Sequence, residues 1–517
     1  MERVFANVED RGRRARCSDD KMKITISRRK ALVFALVFWG LAPLFAAAQS
    51  VEDLARRING ILAAPALRRV QFSVSIVRLA TGETVYEKNP RLPLMPASNM
   101  KIITSAAAFE TLGRDFAFST RAGLCGDRLV VIGSGDPLLG YWDKDPGRGG
   151  FRSPEVIQTI ALRLKGRGLE TISDIVLDTS IFDGQRVCPT WPKDQLRQKY
   201  ACEVGGLNYN GNCVDISAIN RGGQVALQLD PPTDYIRLIN SVSAGPGRKS
   251  WFSVVPAGSA REFVIQGNCR AQAGPYSVAV ENPALFFGSL VKRAVRQAGI
   301  TVTGQVLEEA APEDCAFELV AEHRTSMADC LRQMNKNSLG LAAEAFFKRL
   351  GALSNAGGKP GSWEGGQRAL SEYLRGLGID DGEFTVADGS GLSRENRLSA
   401  RALTRVLTHL SGLPDWEFYR DSLAVGGFDG TIENHFWEPL YRGRVHAKSG
   451  YITAVRALSG IVRTQSGEFI FAFLANQAGG GARTAIDNAV KAVIDWGDGR
   501  PQAHKPKPTL PRRLPRR

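Results

Sequence analysis

The sequence predicts a mixed α/β (α+β) fold: an antiparallel sheet flanked by helices and interrupted by smaller, mainly-β inserted domains. Three observations predict it. A hairpin-plus-helix unit opens the fold near residue 51, short strand-like runs broken by Gly, Pro and Asp fill the middle, and long strands with helices close it.

Taken in order, VEDLARRINGILA from Val51 places apolar residues at helical spacing. The alternating runs QFSVSIVRLA and TVYEKNP follow, joined through Thr81-Gly82 as in a β-hairpin. A second helix is predicted from about Ala97 through SNMKIITSAAAFETLG to Gly113, which suits a C-terminal cap. From about Arg121 the runs LVVIGSGDPLL, ISDIVLDTSIFDG, CVDISAI, QVALQLDPP and FVIQG read as strands of one or two small subdomains. Helical spacing resumes in NPALFFGSLVKRAVRQAG at their far end. From about Thr325 come a helix, a loop and a helix (SMADCLRQMNKN, then LAAEAFFKRLG) and further helices. A closing pair of strands, VHAKSGYITAVRALSGIV and SGEFIFAFLAN, and a last helix, ARTAIDNAVKAVIDWG, complete the fold. The shifts in character place a signal peptide at 1–48, a main domain at 49–120 and 315–498, inserted domains at 121–314, and a basic, Pro-rich tail at 499–517.

The formal net charge of +15 is concentrated at the ends. Residues 1–48 carry roughly +5 and the tail from Gly499 roughly +7, which leaves about +3 on the body. A body so near neutrality predicts no nucleic-acid partner. The tail, ending HKPKPTLPRRLPRR, reads as a disordered extension or as a tether in peripheral contact with membrane or wall polymer. At the other end, Ser27-Arg28-Arg29-Lys30, ALVFALVFWGLAPLF and Ala46-Ala47-Ala48 have the order of a secretory signal peptide cleaved after Ala48. The apolar run is short for a membrane span. The expected location is therefore exported, periplasmic or otherwise extracytoplasmic. Met22 is an alternative start to Met1, and the residues after Ser-Arg-Arg leave general and twin-arginine export both open.

Export puts the cysteines where they can pair. Cys17 leaves with the signal, and seven remain: Cys125, Cys188, Cys202, Cys213, Cys269, Cys315 and Cys330. At most three bridges form, with connectivity open. No pair has CxxC spacing and there are five histidines, so neither a metal centre nor a cofactor is expected.

Three motifs carry chemistry. Ser98-Asn99-Met100-Lys101 at a helix start puts the Lys101 amine on the face of the Ser98 hydroxyl, where it can take the proton of an otherwise poor nucleophile. Lys448-Ser449-Gly450 opens a strand along which an extended peptide can pair. Lys448 would attract a terminal carboxylate, Ser449 would bond it, and Gly450 would admit the substrate backbone. Ser338, in the loop of MNKNSLGLAAE, is placed to relay a proton or to cap the following helix.

Motifs of SxxK, SxN and KTG type in this order characterise penicillin-binding proteins and class A β-lactamases. The chain resembles one branch of them, the D-alanyl-D-alanine carboxypeptidase/endopeptidase family, the low-molecular-mass class C penicillin-binding proteins. The resemblance rests on PASNMKIITSAAAFETLG, IGSGDPLL, IVLDTSIFDG, MNKNSLGLAAE, VADGSGLSRENRLS, LAVGGFDGT and AKSGYITAVRALSG, and spans nearly the whole mature chain. It implies a β-lactamase/transpeptidase-like domain interrupted by two smaller domains. It also implies a serine peptidase acting on peptidoglycan peptides, with β-lactam antibiotics as covalent inhibitors. Ser98 would be the nucleophile, Lys101 its general base and Ser338 the relay. Lys448 and Ser449 would hold the substrate carboxylate, and the backbone N–H groups of Ser98 and Tyr451 would form the oxyanion hole. Two positions depart from the family pattern: Ser449 stands for Thr, which keeps the hydroxyl, and Gly340 stands for the Asn of SxN. The second departure makes a catalytically weakened homologue that binds wall peptides or partners an alternative, alongside a β-lactamase on the same fold.

Overall fold

The computed structural model describes residues 50–143, 151–153, 155–245, 249–354 and 358–500. The expected signal peptide, Cys17 and Met22, and the basic tail beyond Arg500, lie outside the described residues.

Ser50 caps helix α1 (Val51–Leu62) through a capping box: its Oγ accepts the Asp53 N–H and the Asp53 carboxylate accepts the Ser50 N–H, both at 3.2 Å. Strands β1 (Gln71–Arg78) and β2 (Thr84–Lys88) form the expected antiparallel hairpin. A single 3-10 turn, Ala97–Asn99, leads into α2 (Met100–Leu112). The helix predicted from Ala97 thus begins three residues later, because Ala97 takes φ 46°, a left-handed conformation that an α-helix cannot continue. Gly113, at φ 82°, ends α2 as expected.

The chain then leaves this unit through β3 (Ala117–Cys125) and β4 (Arg128–Ile132), passes helix α3 (Val156–Gly166), and returns to the same sheet as β5 (Ile175–Asp178). Beyond it lie β6 (Cys213–Arg221), β7 (Gln224–Asp230), β8 (Arg237–Ala244), β9 (Trp251–Ala257), β10 (Glu262–Cys269) and β11 (Gln272–Ala279). They form two three-stranded sheets, β7-β6-β11 and β8-β10-β9. Strands β8 and β9 are absent from the sequence reading because most of their residues are exposed or half-exposed, and so lack the alternation of a half-buried strand. Helix α4 (Pro283–Gln297), β12 (Val306–Glu308) and β13 (Glu318–Ser326) bring the chain back, giving a five-stranded sheet in the order β12-β5-β4-β3-β13. Ser326 on β13 stands opposite Ala117 on β3, so the excursion starts and ends on neighbouring strands. One disulfide, Cys125–Cys315, crosses this region, and Cys188, Cys202, Cys213, Cys269 and Cys330 are buried thiols.

The main elements that follow are helices α5 (Met327–Asn335), α6 (Gly340–Ser354), α7 (Trp363–Gly376) and α8 (Ala400–Ser411), strands β14 (Ala424–Val425), β15 (Val445–Ile452), β16 (Val455–Thr464) and β17 (Gly467–Asn476), and helix α9 (Ala482–Gly497). The run VHAKSGYITAVRALSGIV, expected as one strand, is two: Ile452 faces Val455 across a tight turn with Ala454 at φ 63°. No Gly, Asn or Asp marks that turn, so the sequence reads straight through it. The main sheet is six-stranded and antiparallel, β2-β1-β17-β16-β15-β14. Its centre, β17, is covered on both faces, which is why FIFAFLA is continuously apolar. Phe469, Phe471 and Phe473 join the core with Leu54 and Val490 of α1 and α9, while Ile470 and Leu474 join the core with Ile103 and Leu403 of α2 and α8. Each of these buried phenylalanines contributes about 1.5–3 kcal/mol relative to exposure. Helix α2 is thereby fixed against the sheet, with Met100 to Phe109 all buried.

Candidate active site

Ser98 lies in the 3-10 turn and Lys101 in the first turn of α2. The Lys101 ammonium donates to Ser98 Oγ at 3.1 Å and to the Ser390 carbonyl at 2.7 Å. Burial of Lys101 brings its pKa down to about 8, against the opposing pull of Asp388 and Glu344. A lysine so held has an appreciable neutral fraction near neutral pH and a hydroxyl within proton-transfer distance.

The Ser390 carbonyl is itself aimed by two buried carboxylates. Glu344, in α6, accepts the N–H groups of Ser390 (2.8 Å) and Gly389 (3.1 Å) and the Trp363 indole N–H (3.2 Å). Burial and then the charge of Asp388 push the Glu344 pKa up, while the donated N–H groups favour its anion. Asp388 accepts from the backbone of Gly391 (2.7 Å) and Ser393 (2.6 Å), from Asn396 (2.7 Å) and from the Trp191 indole (2.8 Å). Gly391, at φ 81°, is required here because a Cβ would collide with the Ala97 carbonyl beside Ser98.

Strand β15 forms the facing wall. The Asn99 amide donates to the Lys448 carbonyl at 2.8 Å, and Ser459 Oγ donates to Asn99 Oδ1 at 2.7 Å, which ties the Ser98 turn to β15 and β16. Gly450 is the second obligatory glycine: a Cβ there would lie 2.8 Å from the Pro96 carbonyl and 3.3 Å from Ser98 N. Pairing of β15 with β14 stops at Ala447, so residues 448–452 leave an edge free of strand pairing beside Ser98. Ser449 Oγ donates to Thr431 Oγ1 at 2.7 Å. Lys448 is fully buried behind this wall and donates to the Ser449 carbonyl at 2.9 Å. Burial, and then the charge of Lys101, hold its pKa well below the usual lysine range.

A cleft of about 650 Å³ opens between these walls, lined by Ser98, Lys101, Ser338, Ser390, Thr431 and Tyr451. Ser338 sits between α5 and α6 with φ 61°. The structure therefore gathers Ser98, Lys101, Ser338 and Tyr451 in one cleft; Ser449 and Gly450 line an adjoining cavity, and Lys448 lies behind both. Gly340 also lines the cleft, and a Cβ on it would stand 3.2 Å from the carbonyl of Tyr200, a residue of the inserted region. Asn337, the nearest amide in sequence, donates to Gln333 (2.8 Å) and Asp143 (3.0 Å).

Sequence reasoning assigned no role to Asn99, Glu344, Asp388, Ser390 or Thr431. The run VADGSGLSRENRLS was visible as a motif, and its Asp, Ser and Gly content is that of a tight loop. Nothing in a lone Glu on an apolar helix predicts full burial, since carboxylates are mostly exposed. Among the described residues no group of His, Cys, Asp and Glu is placed to hold a metal ion, and no helix is long and apolar enough to cross a membrane.

Residues 54–495 match the model of the D-Ala-D-Ala carboxypeptidase 3 (S13) family. The chain is 30% identical over 482 residues to a D-alanyl-D-alanine carboxypeptidase of Actinomadura sp. (strain R39), covering 87% of this chain and 86% of that protein. It is 27% identical over 407 residues to D-alanyl-D-alanine carboxypeptidase DacB of Haemophilus influenzae, covering 75% and 81%. Among solved structures it is similar to penicillin binding protein 4 (dacB) of Haemophilus influenzae, with a TM-score of 0.70 and 24% identity over 86% of this chain and 99% of that one. At that identity the likeness speaks for the fold.

Proposed function

The chain belongs to the D-Ala-D-Ala carboxypeptidase 3 (S13) family of serine peptidases, and on that footing we propose that it cleaves D-Ala-D-Ala type bonds of peptidoglycan through an acyl-enzyme on Ser98, as a carboxypeptidase and an endopeptidase. The observation that carries this reading is the 3.1 Å contact between Ser98 Oγ and a buried Lys101 whose pKa is brought down to about 8.

In this mechanism Lys101 takes the Ser98 proton as Oγ bonds to the carbonyl carbon. The resulting oxyanion is received by the N–H groups of Ser98 and Tyr451, which the Gly450 approach supports. Ser338 passes the proton to the leaving nitrogen as the C–N bond breaks, and water then hydrolyses the ester with Lys101 again as base. Ser449 and, from behind, Lys448 hold the carboxylate of the leaving residue, while the free edge of β15 pairs the substrate backbone. A β-lactam follows the same first step and stays attached as the ester. The 121–314 insertion contributes Pro192, Gln195 and Tyr200 to the cleft wall. Action outside the cytoplasm is supported by the Cys125–Cys315 disulfide.

The test is intact-mass analysis after incubation with penicillin. A single adduct mapped to Ser98 is expected, and no adduct rejects the reading. A second reading, a weakened homologue that binds wall peptides with slow turnover, is favoured by Gly340, whose missing side chain leaves no amide at that point of the cleft. It predicts a Ser98 adduct with negligible release of D-Ala from a pentapeptide.

A further inference from the structure

We propose that the cavity beyond Ser449 is a second substrate subsite, which receives the leaving half of a cross-linked substrate: an amino acid whose side chain continues into a second, carboxylate-bearing peptide. The proposal rests on the acyl-enzyme reading and assigns, for that same site, the cavity and the residues that take the leaving half. This cavity, of about 590 Å³, adjoins the catalytic cleft and shares Thr431 and Tyr451 with it. If Ser449 grips the carboxylate of the leaving residue, whatever that residue carries next enters this space. It has room for a drug-sized ligand, far more than one alanine requires.

Its charges select the ligand. The one lining acid, Asp487, is engaged by His435, whose Nδ1 lies 3.0 Å from its carboxylate. Two guanidiniums face the cavity. Arg456, on β16, lies 3.9 Å over the Tyr451 ring and donates only to the backbone carbonyls of Val455 (2.8 Å) and Ile452 (3.4 Å). Arg483 is exposed in the first turn of α9. Among the described residues neither has a carboxylate partner, whereas Arg444 is paired with Asp498 and Arg401 with Glu383. Two unmatched forks lining one cavity are a receptor for carboxylate. A free D-Ala brings only the carboxylate that Ser449 holds; a cross-linked leaving group brings more.

The experiment compares two substrates of the full mature chain, a linear pentapeptide and a synthetic cross-linked stem-peptide dimer. Arg483→Glu is expected to lower the dimer-to-pentapeptide ratio of kcat/KM by about tenfold or more, the equivalent of one lost charge-assisted contact. Arg483→Lys should retain most of the ratio, since the charge remains. An unchanged ratio in Arg483→Glu overturns the proposal. A second measurement needs no catalysis: calorimetric titration of the free stem peptide into the Ser98→Ala chain should give binding that Arg483→Glu weakens to a similar degree. Equal affinities overturn the subsite even where penicillin labels Ser98. A missing adduct overturns the acyl-enzyme reading, and the calorimetric result then decides the subsite alone.

Discussion

Glu344 accepts the Ser390 N–H at 2.8 Å, and the carbonyl of that same serine takes the Lys101 ammonium at 2.7 Å. The carboxylate thus holds the Lys101 amine without touching it. Replacing Glu344 with Ala strands the N–H groups of Ser390, Gly389 and Trp363 in a dry interior. Destabilisation of about 2–4 kcal/mol is expected, visible as a lower Tm. Penicillin acylation should slow by about 10–100-fold as the lysine loses its aim. Unchanged acylation kinetics would show that the 388–391 loop holds Lys101 unaided.

Lys101→Ala should slow acylation by about 10²–10⁴-fold, the usual contribution of a positioned base, and Ser98→Ala should leave no adduct at all. Lys101→Arg should not restore the rate, because a guanidinium stays protonated at any working pH. Stopped-flow acylation by a fluorescent penicillin checks all three, and a rapid Lys101→Arg variant would remove the lysine from the base role.

Acylation requires neutral Lys101, so its rate should climb with pH, about tenfold per unit at acid pH, and level off above the folded pKa of about 8. Stability follows the same sign. The unfolded lysine binds its proton up to its ordinary value of 10.5, so the unfolded state is the more protonated between about pH 8 and 10.5, and this group's contribution rises with pH across that window. A pH profile of the acylation rate, flat from pH 6 to 9, would contradict the assignment.

Restoring an amide by Gly340→Asn is expected not to raise the acylation rate. Its Cβ would meet the Tyr200 carbonyl at 3.2 Å, so the short 199–201 turn must shift a few tenths of an ångström and carry the cleft wall with it. The cost is on the order of 1 kcal/mol. Gly340→Ala should show the same small drop in Tm, which separates crowding from chemistry. Faster acylation in the Asn variant would mean that the missing amide, not the wall, limits the rate.

The Cys125–Cys315 bridge closes a loop with a sequence separation of 190. Cys125→Ser with Cys315→Ser should lower stability by about 2–5 kcal/mol. Acylation kinetics measured below the new Tm should barely change, because neither residue lines the cleft.

The parts of this molecule legible in its sequence were the local ones. The helix from Val51, the hairpin at Thr81-Gly82 and the glycine stop at Gly113 follow from local chemistry, and the Ser98-to-Lys101 spacing sufficed to put the two groups in contact. What escaped was decided by tertiary context. Strands β8 and β9 present little buried face, the turn at Ala454 uses no turn-forming residue, and Ala97 adopts a positive φ that no adjacent glycine or asparagine announces. The roles of Glu344 and Asn99 depend on partners 46 and 349 residues away, a range at which spacing carries no information.

That Ala117 and Ser326 are cross-strand partners has an architectural corollary. The chain between them leaves and rejoins the fold at adjacent points of one sheet. The Trp191 indole ties this stretch to Asp388, and Tyr200 takes up the space beside Gly340. Through these two contacts a change in the 121–314 region reaches the surroundings of Ser98 without a single substitution elsewhere.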